Sequence, residues 1–268
     1  MNDKSILLNA YVYLVLAFII VPLLVILPMA FSDTSYLVFP PKGFSFRWFE
    51  AFFSDSRWMD ATYFSLVIAS MVSVVTSVIG TMTAYAMIRG AAGRRWTALF
   101  QTALMLPIIV PHIALAVALY LFFQKVGLTG TTAGYVLAHS VIAMPFSVFT
   151  ISAALSKIDP ALESAAMSCG ASRFSAFRCV TLPLVAPNIA SGALFAFIIS
   201  FDEPVITFFL AGARDKTLPR LMFEDLQMNI TPMLAAIAVL LTGLSTVVLL
   251  ATASVRRLSR SNRLTGEP

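Results

Sequence analysis

Charged side chains are scarce in this sequence: they make up 12% of its 268 residues, where a soluble domain carries about a quarter. Hydrophobic residues take their place at 59%, and mean hydropathy is +0.88. A water-soluble fold of this length has no interior large enough to hide that much apolar surface, so lipid is expected to be the solvent. Histidine and cysteine are each limited to two residues. Cys169 and Cys179 have nine residues between them and no His nearby. That is not metal-site spacing, so both are read as reduced structural thiols and no metal is expected. No G-x-x-x-x-G-K-[ST] phosphate loop occurs anywhere, so the chain is not expected to hydrolyse a nucleotide itself. His-Glu metal pairs, nucleophile elbows and carboxylate clusters are missing too, and no catalytic residue is expected.

What the chain does have is long apolar runs, at about 7–31, 61–88, 96–123, 133–155, 184–211 and 233–255. Each exceeds the roughly 20 helical residues that cross a hydrocarbon core of about 30 Å. In lipid the backbone must satisfy its own polar groups, so the expected fold class is all-α and integral to the membrane, with about six transmembrane helices. The first run is longer than a signal peptide's apolar core and lacks a small-residue cleavage site after it, so it is read as a retained helix.

Most of the 18 Lys and Arg fall on one side of this arrangement: Lys4, Arg89, Arg94, Arg95, Lys157, Arg173, Arg178, Arg256, Arg257, Arg260 and Arg263. The other side pairs its basic residues with acids such as Asp33, Glu50, Asp55, Asp60, Asp215, Glu224 and Asp225. The positive-inside bias places both termini in the cytoplasm. The basic residues sit at span ends, against lipid headgroups, and form no continuous tract, so nucleic acid is not expected as a partner.

The organisation expected is a first helix at 1–31, an outer interfacial segment at 32–60, a five-helix core at 61–255 and a cytoplasmic tail at 256–268. The interfacial segment interleaves Phe44, Phe46, Trp48, Phe49, Phe52, Phe53 and Trp58 with Arg47, Glu50 and Arg57. Such a pattern suits a helix lying where aromatic rings meet headgroups. Pro107 and Pro111 should kink the third span.

The core is broken on the cytoplasmic side by the connection 156–183, SKIDPALESAAMSCGASRFSAFRCVTLP. Asp159-Pro160 is a helix start, Gly170 a helix stop, and Ser172 a second start. The connection should therefore fold as two short helices around a glycine corner, with Pro183 at the entrance to the fifth span. An amphipathic pair with an alanine patch is a docking surface.

In this connection the sequence resembles the permease subunits of binding-protein-dependent ABC importers. Their cytoplasmic signature, E-A-A, three residues, G, nine residues, I-x-L-P, appears here as Ser164-Ala165-Ala166, Gly170 and Val180-Thr181-Leu182-Pro183. Ser164 stands where the family has glutamate, with Glu163 just before it. The resemblance implies a type I importer permease (MetI-like) architecture, in a bacterial inner membrane. It also implies an ATPase-coupling loop carried by Glu163, Ser164, Ala165, Ala166, Gly170, Leu182 and Pro183. The partners implied are two ATP-binding subunits, a second permease in a heterodimer, and a periplasmic substrate-binding protein. ATP and Mg would be handled by the partner ATPase, with no cofactor on this chain. The stretch SFDEPVITFFL at 200–210 and the later Thr217-Leu218-Pro219 resemble the second permease of spermidine/putrescine-type importers, which implies a polyamine or a related small solute. A rival reading, an ion-coupled secondary transporter, needs a coupling-ion site that the few intramembrane acids do not supply.

Asp202 and Glu203 interrupt the fifth apolar run, about 28 Å along a helix from Pro183. Acids in such a place are costly and suggest function. With Thr207 they are candidates for a solute path; the alternative puts both acids at the outer interface, solvated or paired within the chain. His112 and His139 are read first as buried side chains bonded to a neighbouring helix, with a path-lining or proton-relay role as the alternative. Tyr85 is read as an interface residue, and Gly80 and Gly243 as sites of close helix packing.

Overall fold

The computed structural model describes residues 3–90, 93–210, 212, 215–228 and 231–264. Among them every element is helical apart from one isolated bridge between Ser32 and Phe44. Ala91, Ala92, Arg214 and Ile230 lie outside the described residues, as do the side chains of Lys4, Arg94, Arg256, Arg257, Arg260 and Arg263.

Four helices are long and apolar enough to cross a membrane alone. They are α1 (Asp3–Met29) through its stretch Leu8–Met29, α3 (Ser56–Arg89), α6 (Thr132–Leu155) and the continuous run Arg173–Phe201. A fifth crossing requires α4 (Arg94–Ile109) and α5 (His112–Lys125) together, and these are bent by 104° at their junction. The last run expected to span falls in α12 (Pro232–Leu264), whose apolar part, Pro232–Val248, is shorter than the others. By length and composition the described residues therefore hold four spans, or five with the bent pair, where the sequence led us to expect about six.

The corner between α4 and α5 is sharper than a proline kink. Pro107 is absorbed inside α4, whereas Pro111 ends it. Val110, forced out of the helical region by the ring that follows it, sits at φ −68°, ψ 135°. Its N–H still closes α4 on Leu106, and α5 starts afresh with the Leu115 N–H on the Pro111 carbonyl.

The chain packs as two compact units. One holds residues 1–60 with 221–246. Here the segment between α1 and α2 (Arg47–Ser54) folds back on the end of α1: the Ser45 N–H reaches the Phe31 carbonyl at 2.7 Å, and Arg47 pairs with Asp33 at 3.7 Å. The Phe31 ring meets Phe46 edge-to-face at 5.3 Å and lies tilted against Phe49 at 5.0 Å, and the cluster continues onto Ala30, Ala235 and Ala236. The aromatic segment is thus divided. Phe52 and Trp58 are buried, while Phe44, Phe46 and Phe53 stay exposed. The interfacial helix that the sequence suggested is only the eight residues of α2.

The other unit holds 61–220 with 247–268. Its centre is α6, which buries residues from Gly134 to Leu155 around most of its circumference. A helix apolar on all sides is expected to be buried by its neighbours, and α6 is so along much of its length, with Leu137 and Phe146 left exposed. It packs against α3 and α9 (Leu182–Phe201) at their smallest residues. Ser147 of α6 sits between Gly80 and Gly192, and donates to the Thr76 carbonyl at 3.1 Å. Ser73 of α3 donates to the Ala193 carbonyl of α9 at 2.8 Å. Without a hydrophobic gain between helices in lipid, such close backbone approach and interhelical hydrogen bonding hold them together. Gly80 therefore does what its size suggested; Gly243 has nothing within 4 Å.

Candidate functional site: the connection after α6 and the break after α9

The connection after α6 is built on local rules. The Asp159 carboxylate accepts the Ala161 N–H at 2.9 Å and starts α7 (Ala161–Ser168). The helix stops in a Schellman turn, with the Ala171 N–H on the Ala166 carbonyl and the Gly170 N–H on Met167. Gly170 sits at φ +92°, a left-handed conformation that side chains with a Cβ adopt only under strain. Cys169 and Cys179 are both exposed and free.

The second helix differs from expectation. α8 (Arg173–Ala176) starts on the Ser172 hydroxyl as anticipated, but it does not end before the span. It runs through a π-helical turn, Phe177–Thr181, straight into α9. Pro183 accounts for the turn. It has no N–H for the carbonyl four residues before it, and the wider π register lets the Leu182 N–H reach the Phe177 carbonyl instead. Leu182 is half-buried and Pro183 exposed at the base of α9.

Glu163 is the buried side chain of α7, 8% exposed. Its Oε1 accepts from Thr181 Oγ1 at 2.6 Å and from Arg89 Nε at 3.3 Å, and its Oε2 accepts from Tyr85 Oη at 2.9 Å. Arg89 also donates to the Ile158 carbonyl at 2.6 Å, so its charge lies at the C-terminal end of α6, where a cation is favoured. Burial pushes the Glu163 carboxyl up, but hydrogen bonds from Thr181 and Tyr85 and the charge of Arg89 outweigh it and hold the group below its usual range. Around the helix from Glu163, Leu162, Ser164, Ala165 and Met167 are exposed, and Ala166 is half-buried. The helix is inside out: a carboxylate faces the protein and apolar side chains face away from it.

The residues proposed for a solute path separate. Asp202 is exposed and follows the last turn of α9, its N–H on the Ile198 carbonyl. Glu203 turns inward, 8% exposed, and its Oε1 accepts the N–H groups of Val205 at 2.8 Å and Ile206 at 3.0 Å. It caps α10 (Val205–Leu210), with Pro204 in the first turn where a missing N–H costs nothing. The fifth apolar run is thus not one helix but two. Thr207 is fully buried and donates to the Glu203 carbonyl at 3.1 Å. Its oxygen also lies 3.1 Å from His139 Nε2, and His139 Nδ1 lies 2.9 Å from Ser200 Oγ, so the imidazole is hydrogen-bonded at both ring nitrogens. His139 is the buried, helix-bridging residue anticipated, whereas His112 is exposed at the start of α5. Tyr85, Arg89 and Thr181 were not singled out as partners of Glu163. The one available signal was a basic residue in the last turn of α3 beside a single acid in α7.

Residues 76–260 match the family described as binding-protein-dependent transport system inner membrane component. The spermidine/putrescine transport system permease protein of Haemophilus influenzae is 30% identical over 88% of this chain and 91% of its own length. The putrescine transport system permease protein of Escherichia coli strain K12 is 31% identical over 84% of this chain and 82% of its own. The trehalose transport system permease protein of Mycobacterium tuberculosis is also similar, 29% identical over 75% of this chain and 74% of its own. Among solved structures, a bacterial ABC transporter that imports the acidic polysaccharide alginate has the same fold, with a TM-score of 0.71 at 17% identity over 98% of this chain and 97% of that one. An inward-facing methionine ABC transporter superposes with a TM-score of 0.62 at 20% identity, over 74% of this chain and 94% of that one.

Proposed function

The chain belongs to the family of binding-protein-dependent transport system inner membrane components, and from that premise we propose that it forms half of an ATP-driven import path for a polyamine such as spermidine or putrescine. The single observation that carries the docking half of this reading is the inside-out helix α7. Its carboxylate is held within the chain while Leu162, Ala165 and Met167 are left exposed beside Ser164, as a handle for another subunit must be. In this reading the connection 156–183 lies in the cytoplasm with both termini, and an ATP-binding subunit grips it. Two such subunits hydrolyse ATP with Mg, and their closure draws the handles of this permease and a second, different permease together. The spans then switch from inward-open to outward-open, and a periplasmic binding protein delivers the solute.

A polyamine is supported by the names of two relatives, 30% and 31% identical over 88% and 84% of this chain, and by Asp202. Among the described side chains Asp202 is exposed at the break after α9, where a carboxylate attracts a dication. Glu203 and Thr207 serve that break as cap and tether.

The test is reconstitution in proteoliposomes with the second permease, the ATPase subunits and the binding protein, following labelled spermidine and putrescine. Uptake that needs both ATP and the binding protein is the expected result. Uptake by the chain alone, driven by an ion gradient, would overturn the import reading. ATP-driven uptake of a sugar but not of a polyamine would overturn only the substrate.

A further inference from the structure

The eight residues of α7 are too few to hold a helix by themselves in water. Something in the body of the protein must fix its position and rotation, and the buried side chain it offers is Glu163. We propose that Arg89 is a positioning residue for the coupling loop: acting through Glu163, it sets the rotation of α7 and makes the loop follow the end of α3. The proposal rests on the reading of the connection 156–183 as an ATPase handle.

Three observations carry it. Arg89 holds the start of the connection at two levels, donating to the Leu155 and Ile158 carbonyls at the close of α6 and to Glu163 within α7. The pair is enclosed, with side chains 12% and 10% exposed. An exposed ion pair would contribute little, whereas removing one partner of an enclosed, hydrogen-bonded pair leaves a charge stranded. Finally, every acceptor position of Glu163 in use is filled from inside the chain: Tyr85 from α3, Thr181 from the π-helical turn, and Arg89. Glu163 is buried against these partners, and reaching a basic residue on another subunit would mean turning its carboxylate outward from them. Ser164, which follows it, points elsewhere because one helical residue turns the side chain by about 100°. The grip of this loop is therefore anchored internally, and a movement of the partner at α7 is delivered to α3 through the Arg89 guanidinium together with the Tyr85 hydroxyl.

The experiment compares Glu163→Gln, Arg89→Gln, the double variant and Arg89→Lys by two readouts. The first is amide hydrogen exchange of 161–168 in the full chain in detergent. Each single Gln variant should speed exchange there on the order of tenfold, the double variant no more than either single one, with α6 and α9 unchanged. The second is solute imported per ATP hydrolysed in the complete reconstituted importer. It should fall on the order of tenfold in each Gln variant, again without addition in the double, while Arg89→Lys keeps the charge and restores part of the ratio. Additive losses overturn the proposal. So does coupling that is lost with Glu163→Gln but kept with Arg89→Gln, because Glu163 would then act on another subunit. If the wild-type importer shows no ATP-driven uptake, the functional reading fails, and the exchange result still decides whether Arg89 anchors α7.

Discussion

Ser147 and Gly80 meet where α6 and α3 approach so closely that no methyl group fits between them: a Cβ on Gly80 would lie 2.8 Å from Ser147 Oγ and 3.3 Å from its Cβ. Gly192 of α9 presses on the same serine from another side, with a Cβ there 3.3 Å from Oγ. Gly80→Val is therefore expected to lower stability by about 1–3 kcal/mol through overpacking, and Gly243→Val to change it little. Thermal unfolding in detergent, followed by loss of monodisperse protein, distinguishes the two. Equal midpoints would remove Ser147 from the packing account.

Asp202 and Glu203 are neighbours in sequence with different work. Glu203→Ala should lower the thermal midpoint, since losing a helix cap costs about 0.5–2 kcal/mol. Asp202→Asn should leave the midpoint alone and cut polyamine uptake on the order of tenfold, equivalent to about 1.4 kcal/mol. Unfolding in detergent and uptake in proteoliposomes read the two effects separately; reversed assignments would overturn the division.

The ionisation of Glu163 gives the loop a pH dependence with a definite sign. Its folded-state pKa lies below the ordinary value of 4.5, so its contribution to stability is fully present above that value. It is lost as pH falls through the lower folded value. Wild type and Glu163→Gln should therefore differ most near neutral pH and converge in acid. Unfolding midpoints from pH 7 down to pH 3 check this, and a gap that widens in acid would contradict the direction of the shift.

Gly170 holds the corner between α7 and α8 at a positive φ with open space around it. Gly170→Val meets no neighbour, and its cost is backbone strain of about 1–3 kcal/mol. The expected outcome is normal insertion and expression with less solute moved per ATP. Coupling equal to wild type would show that the corner need not keep its shape.

Several features were legible from residue order because they rest on local physics. Asp159 and Ser172 start helices through their own side-chain oxygens and Gly170 stops one through its backbone, and the structure puts them at those ends. His139 could be read as buried and bridged because an imidazole in an apolar run needs partners. Pro183, expected at the entrance to the fifth span, lies in the first turn of α9, but the chain enters through a π-helical turn without a break, since a missing N–H can be absorbed by a change of register. Pro111 went the other way, making a 104° corner where a kink was expected.

Composition alone decided that this chain lives among lipids, because no soluble packing could conceal so many apolar side chains. The spacing of small and capping residues decided that one connection would fold as short helices around a glycine corner. Which side of α7 faces the protein was a tertiary decision. Local sequence would bury Leu162 and expose Glu163, and the reverse holds because Arg89, Tyr85 and Thr181 converge on the carboxylate from two other segments. The tertiary fold likewise assigned Glu203 to a cap and left Asp202 exposed, since only the break after α9 creates free N–H groups for one of them to receive.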